Sequence, residues 1–341
     1  MKAYCALNDQ KAHEPSFFLV NGVAQNCPEK PERMDALVAS TKTSGMDLRE
    51  PQDYGLEPIA AVHTPEYLRF LATIHERWIR MDGASQEVIP GIQPNRNDFS
   101  YPQSAIGQAG YHMADTACPI GKNTWHAVQA SANCAASAAH DILEGASSAY
   151  ALCRPPGHHA FADMAGGFCY VNNSALAAQI LRRDHERVAI IDVDLHHGNG
   201  TQGIFYNRND VLTVSIHADP VRFYPFFWGH ASERGEGDGL GYNYNLPLER
   251  GSGDDKFLTA LENAMERVSY FAPTALVIAL GLDAFEGDPF GGLAVSTDGF
   301  GAIGKMLSEL KLPSVIVQEG GYLCDALGDN LSSFMDGFQS S

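Results

Sequence analysis

The run Ala189-Ile190-Ile191-Asp192-Val193-Asp194-Leu195-His196-His197-Gly198-Asn199-Gly200 constrains this chain more than any other stretch. It opens as an apolar, β-branched strand and ends in aspartates and histidines. Burying an unpaired carboxylate costs roughly several kcal/mol, so a strand end of this kind calls for a charged partner, and the residue types call for a metal ion.

Around that run, apolar segments of strand length alternate with helix-period segments, the signature of a mostly parallel sheet with helices on both faces. Strands are predicted near 2–6, 149–153, 187–193, 211–216, 275–281 and 313–318, and helices near 31–45, 64–79, 126–144, 173–184, 255–270, 298–310 and 324–337. Ser252-Gly253-Asp254-Asp255 reads as a helix start, because Phe257, Leu258, Leu261, Ala264, Met265 and Val268 follow at helical spacing. No composition shift, long linker or tandem repeat divides the chain, so residues 1–341 are read as one domain. Between about 80 and 125 the periodicity fails in an excursion that includes Val88-Ile89-Pro90-Gly91-Ile92-Gln93-Pro94-Asn95-Arg96-Asn97. Loops of this length are either plain surface excursions or functional lids and subunit contacts.

Bulk properties narrow the function. The N-terminal residues lack an apolar leader, and no run of about 18 apolar residues occurs, so a cytoplasmic protein without a membrane partner is expected. Seven scattered cysteines with no C-x-x-C pair fit a reducing compartment rather than a disulfide framework. A formal charge of −18 argues against nucleic acid and favours a cationic ligand. Gly235-Glu236-Gly237-Asp238-Gly239 lacks the Lys-Ser/Thr of a phosphate loop, and Cys153, at the end of an apolar strand, reads as a buried thiol rather than a nucleophile.

In parallel α/β sheets ligands bind beyond the carboxyl ends of the strands. Here those ends carry Arg154-Pro155-Pro156-Gly157-His158-His159, then Asp194, His196 and His197, then His217, then Gly281-Leu282-Asp283, then Glu319-Gly320-Gly321-Tyr322. Five strand ends are therefore expected to converge on one crevice. Asp194 and His196, two apart on an extended backbone, point to the same side. With Asp283 they make an Asp/His/Asp set that leaves coordination positions open, as catalytic metal sites do.

These motifs, in this order and spacing, resemble the histone deacetylase superfamily, and most closely its bacterial acetylpolyamine amidohydrolase branch. Pro28-Glu29-Lys30-Pro31-Glu32-Arg33 and Val62-His63-Thr64-Pro65-Glu66-Tyr67-Leu68 extend the resemblance over nearly the whole chain. It implies an arginase/deacetylase-type three-layer α/β fold with a central, mainly parallel eight-stranded sheet. It also implies one zinc ion (Zn2+), with ferrous iron (Fe2+) as an alternative, held by Asp194, His196 and Asp283. His159 would be the general base, His158 its electrostatic partner, and Tyr322 the donor to the oxyanion, swung into place on a flexible Gly320-Gly321 hinge. Asp192 would hold His158 and Asn199 would orient His159. A structural potassium ion (K+) would bind Asp192, Asp194, His196, Ser215 and Ile216, and a second would bind Phe205, Arg208, Val211 and Tyr242. Gly167, Phe168 and Tyr224 would line a narrow tunnel.

The 80–125 excursion matches the insertion that, in the polyamine branch, forms a homodimer contact and narrows the mouth. One departure concerns the mouth itself. Where polyamine-specific relatives present acidic residues, this chain reads Ser104-Ala105-Ile106-Gly107, leaving Asp115 and Glu14 as substitutes. The resemblance implies a zinc-dependent amidohydrolase that removes acetyl groups from small cationic amines such as acetylputrescine, acetylcadaverine or acetylpolyamines. The alternatives are a lysine deacetylase acting on peptides or proteins and a non-catalytic binding protein on the same fold. An arginase-like ureohydrolase would want a two-metal ligand set.

Overall fold

The computed structural model describes residues 1–94 and 100–340. Among the described residues are ten strands: β1 (Lys2–Tyr4), β2 (Phe17–Val20), β3 (Val23–Asn26), β4 (Asp47–Arg49), β5 (Ser148–Ala151), β6 (Val188–Asp192), β7 (Val211–Ala218), β8 (Asn243–Leu248), β9 (Ala275–Leu280) and β10 (Ser314–Gln318). Eight form one sheet in the order β4-β1-β5-β10-β9-β6-β7-β8, while β2 and β3 form a separate antiparallel pair. Every pairing in the large sheet is parallel.

The central strands divide their side chains between two cores, as the two-residue period of a strand requires. Val188 and Ile190 of β6, Val277 of β9 and Val315 and Val317 of β10 enter the core under the helices Pro65–Trp78, Thr124–Leu143 and Asn173–Leu181. Ala189 and Ile191, Leu276 and Ile278, and Ile316 enter the opposite core under Glu32–Thr43, Asp254–Phe271, Thr297–Ser308 and Leu327–Gln339. Layering of this kind is the fold the resemblance implied.

Local chemistry sets the helix boundaries. Thr64 and Asn172 cap the helices that follow them by accepting from Tyr67 N and Ala175 N, each satisfying one of the free N–H groups of a first turn. The helix predicted from Ser252 begins at Asp254 without a side-chain cap. Asp254 instead accepts from Ser296 N and Ser296 Oγ, at 2.8 and 2.6 Å, and so ties two helix starts together.

Several elements depart from the sequence expectations, among them the short helices Leu7–Lys11, Glu57–Ala60 and Asn199–Phe205. Strands β4 and β8, at the two edges of the sheet, and β3 carry too many polar or exposed residues to show as apolar runs, while β2, apolar as Phe17-Phe18-Leu19-Val20, is only four residues long. A helix, Ala105–His112, lies inside the 80–125 excursion, capped by Ser104. Residues 95–97 of the Pro/Asn-rich run fall outside the described residues. No helix among those described is long and apolar enough to cross a membrane.

Candidate active site

Strand β6 turns sharply at its carboxyl end, and its own side chains hold the turn. Asp192 Oδ1 accepts from Asp194 N at 3.0 Å, and Asp194 Oδ1 accepts from His196 N at 2.9 Å. The turn throws Asp194 and His196 to one side, against Asp283 from the end of the neighbouring strand β9. His196 Nδ1 lies 3.3 Å from Asp194 Oδ1 and 3.1 Å from Asp283 Oδ2. One ligand atom from each of the three residues falls within 4.8 Å of the other two, and all three residues are buried.

This cluster fits a divalent cation. Both aspartates are completely inaccessible to solvent. Burial and the neighbouring Asp194 charge push the Asp283 carboxyl above its usual range, the mark of acids brought together without enough positive charge. A Cβ on Gly320 would lie 2.4 Å from Asp283 Oδ2 and 2.6 Å from Asp194 Oδ2, and one on Gly281 would lie 2.1 Å from Asp194 Oδ2. Glycine is required at both positions so that the backbone can close around the ligands.

The tandem histidines arrive from the loop after β5, and each meets a different partner. His158 Nδ1 is 2.9 Å from Asp192 Oδ2. Burial works against its protonation, but the Asp194 and Asp192 carboxylates win and hold the imidazole well above its ordinary value. His159 donates from Nδ1 to Asn199 Oδ1 at 2.7 Å, which fixes the tautomer and leaves Nε2 as the acceptor. Burial, together with His158 and His196 beside it, holds His159 well below its ordinary value. Two adjacent histidines are thus driven to opposite protonation states, an arrangement suited to a base beside a fixed charge.

Glu319, at the end of β10, locks the pair in place. Its Oε2 accepts from Gly157 N and His158 N at 2.6 and 3.0 Å, and its Oε1 accepts from Ser174 Oγ at 2.8 Å. A second buried acid, Glu29, receives Arg33 and Arg154 at 2.7 and 2.8 Å. That network binds the N-terminal motif to the arginine that precedes the histidines.

Tyr322 is 4% exposed. Burial and the Asp283 charge raise its hydroxyl well above the ordinary tyrosine value, so it remains a donor. The two glycines before Tyr322 are tied into the backbone around them. Gly320 N donates to Asp194 Oδ2 at 2.8 Å, and Gly320 O accepts from Leu282 N and Gln318 Nε2. Arg33 donates to Glu319 O and Gly321 O at 2.8 and 2.5 Å, and its guanidinium lies 4.9 Å from the Tyr322 ring centroid. Gly320 is required by its close approach to Asp194 and Asp283, and Gly321 by its φ of +108° and a Cβ position 2.7 Å from Leu282 Cβ.

A cavity of about 670 Å³ opens above this floor, lined by residues that include His159, His196, Gly167, Phe168, Tyr224 and Tyr322. Gly167 and Phe168 both take left-handed φ angles, +52° and +67°. A Cβ on Gly167 would strike His159 Cδ2 at 2.4 Å, so the tunnel wall is as close to the base as backbone allows. Phe223 stacks on the His196 ring at 5.3 Å, and Phe290 meets the Tyr322 and His196 rings edge-on at 4.6 and 5.4 Å. Neither phenylalanine was anticipated. Phe18, from the equally unexpected β2, meets Phe168 at 5.6 Å.

Asp115 is the one carboxylate among the described lining residues, and Arg222 and Arg250 also face the cavity. Asp115 Oδ2 accepts from Tyr224 Oη at 2.6 Å and Gly167 N at 3.1 Å. Glu14 is exposed and outside the lining, so it does not replace a mouth acid.

Four strand ends, not five, build the floor. His217 bonds Ser215 Oγ and Gly229 O, both at 2.8 Å, and so supports the loop that carries Tyr224. His197 turns to Gln202 at 2.8 Å and stacks on His217. Asp192 and Ser215 are register partners on β6 and β7, with Ile216 next along. Phe205 ends a short helix, Asn199–Phe205, and accepts from Arg208 N. Val211 starts β7, and Thr213 N donates to Tyr242 O.

A strand-end acid cluster, a tandem histidine pair and a buried tyrosine on a wholly parallel sheet define a class, and the comparison with known sequences states it directly. Residues 27–338 match the histone deacetylase domain, and the chain belongs to that family. It is 48% identical to an acetylpolyamine amidohydrolase of Burkholderia pseudomallei (strain 1710b), over 97% of this chain and 96% of that protein. It is 42% identical to acetylpolyamine amidohydrolase 1 of Pseudomonas aeruginosa, over 98% of each chain. A crystal structure of the acetylpolyamine aminohydrolase from Burkholderia pseudomallei superposes with a TM-score of 0.96, covering 100% of this chain and 99% of that one. Histone deacetylase 8 of Xenopus laevis stands further off, at 32% identity over 80% of this chain and 77% of that protein.

Proposed function

We propose that this protein is a zinc-dependent amidohydrolase that removes the acetyl group from small N-acetylated amines, including acetylputrescine, acetylcadaverine and acetylpolyamines. The observation that carries the reading is the convergence of Asp194, His196 and Asp283 beneath a tunnel whose wall touches His159. Relatives named for acetylpolyamine hydrolysis, matching almost end to end, support the substrate class.

A divalent ion held by Asp194, His196 and Asp283 supplies Lewis acidity, polarising the acetyl oxygen and easing deprotonation of water. The protein's own residues do the rest. His159, neutral and oriented by Asn199, takes the water proton on Nε2 and returns it to the leaving amine. His158 keeps its charge through Asp192 and stabilises the negative charge that develops beside it. Tyr322 donates its hydroxyl to the oxyanion, and Phe168 and Tyr224 grip the aliphatic stem.

Zinc is the ion we assign, with ferrous iron as the exchangeable alternative. Potassium is assigned to the loop of Asp192, Asp194, His196, Ser215 and Ile216 and to the turn of Phe205, Arg208, Val211 and Tyr242. The catalytic unit spans the whole chain, resides in the cytoplasm and pairs as a homodimer through the 80–125 excursion.

Acetate release from zinc-loaded protein tests the reading. Acetylated diamines should be turned over faster than acetyl-lysine peptides. Faster turnover of the peptides would transfer the assignment to lysine deacetylation, and no acetate from either class would reject hydrolysis.

A further inference from the structure

The loop after β9 contains an acid that the mechanism above does not use. Asp288 is 6% exposed and has no cationic partner within its own turn. Its Oδ2 accepts from Tyr322 N and its Oδ1 from Phe290 N, both at 2.9 Å. Phe290 in turn leans its ring edge-on against Tyr322 at 4.6 Å. One carboxylate therefore fixes the main-chain origin of the tyrosine and also the aromatic wall on which its side chain rests.

The cost of that arrangement is informative. A buried carboxylate near Asp283 adds negative charge to a region already rich in it, and a carbonyl oxygen could satisfy either N–H without that penalty. Here a single rigid carboxyl group receives donors from two different strand ends. On the other flank, Arg33 grips the carbonyls of Glu319 and Gly321. Tyr322 is held between a guanidinium that takes its incoming carbonyls and a buried carboxyl group that takes its N–H.

We propose that Asp288 is a positioning residue for the Tyr322 hydroxyl, clasping the loop after β9 to the loop after β10. The inference rests on the reading of Tyr322 as the oxyanion donor. Asp288 acts only through the tyrosine, so its loss costs no more than the loss of that hydroxyl, about 10²–10³-fold in kcat. Misplacement of a reacting group by about 1 Å costs on the order of 10²-fold, which sets the scale.

A double-substitution cycle on the zinc-loaded, full-length protein tests it. Asp288→Asn keeps one acceptor and places an amide N–H₂ against the other donor, so kcat for acetylputrescine should fall at least about tenfold with KM little changed. Combined with Tyr322→Phe, the same change should cost less than about twofold, because the group it positions is already gone. Equal losses in both backgrounds, or a change confined to KM, overturn the proposal and leave the assignment of Tyr322 intact. A wild-type rate for Tyr322→Phe alone overturns both together. Bound zinc and the thermal transition of each variant are measured alongside. If Asp288→Asn does not accumulate folded, Asp288→Ser, which keeps a single acceptor oxygen in a smaller side chain, replaces it under the same criteria.

Discussion

The floor of the cavity and its mouth are built on opposite principles. On the floor, each side chain comes from the end of a central strand, is buried, and is held by a second group: His158 by Asp192, His159 by Asn199, and the histidine backbone by Glu319. At the mouth, the walls come from excursions, namely β2 and the turn that follows it, residues 115–117 and the loop from Arg222 to Phe226. The lining residues of β2 are only half-buried, and Asn21, Arg222, Phe226 and Arg250 are exposed. Reaction chemistry is thereby assigned to the sheet, where geometry is over-determined, and selectivity to segments that can change without disturbing it.

The contrast breaks most visibly at His159. His159→Ala should lower kcat by about 10²–10⁴-fold with little effect on KM, measured by acetate release. Because burial and the flanking histidines depress its proton affinity, the wild-type acid limb of kcat/KM should lie below the ordinary histidine value of about 6.5. The base is then present above that limb and lost as pH falls through it. A limb above pH 7 would show that a different group carries the proton.

At the mouth the effect should be smaller and of another kind. Asp115→Asn keeps an acceptor for Tyr224 but removes the cavity's single described carboxylate. KM for acetylputrescine should rise several-fold, about the value of one hydrogen bond or weak charge contact, while an acetylated monoamine is unaffected. Tyr224→Phe, which removes only the brace, should raise KM for both substrates alike. A large fall in kcat from either substitution would contradict the division between floor and mouth.

The smallest expected effect is no effect. Six of the seven cysteines are buried and Cys324 is partly exposed. Burial pushes the Cys5 and Cys27 thiols up to about 12, so at pH 8 iodoacetamide should modify at most one cysteine per folded chain without loss of activity. Rapid labelling of several thiols, read by intact mass, would show that the scaffold is looser than described.

The same contrast explains what the sequence could and could not reveal. Strands β6, β9 and β10 are buried on both faces and so carry near-continuous apolar runs, and β5 and β7 are buried with shorter apolar stretches. Their terminal acids and histidines stand out against that background, which made Asp194, His196, Asp283, His158 and His159 legible. Edge strands β4 and β8 are partly open to solvent, β3 is exposed throughout and β2 is a short run of four, so they have no such signal. Asp288 and Glu319 act through main-chain N–H groups of distant loops, and no local pattern encodes a contact of that kind. The Asp288-Pro289-Phe290 turn, an acid close behind a strand-end ligand, was the nearest available clue. Gly320 and Gly321 were visible, but glycine serves both mobility and close approach, and only the distances from Gly320 to Asp194 and Asp283 and from Gly321 to Leu282 show the close approach.

Every chemical assignment depends on a divalent ion held between two strand ends, and metal analysis of the purified protein tests that directly. The wild-type chain should hold one tightly bound zinc equivalent, and both Asp194→Ala and Asp283→Ala should lose it, while His197→Ala, which removes a histidine that faces Gln202 instead, should keep it. Undiminished zinc in folded Asp194→Ala or Asp283→Ala protein would contradict the account.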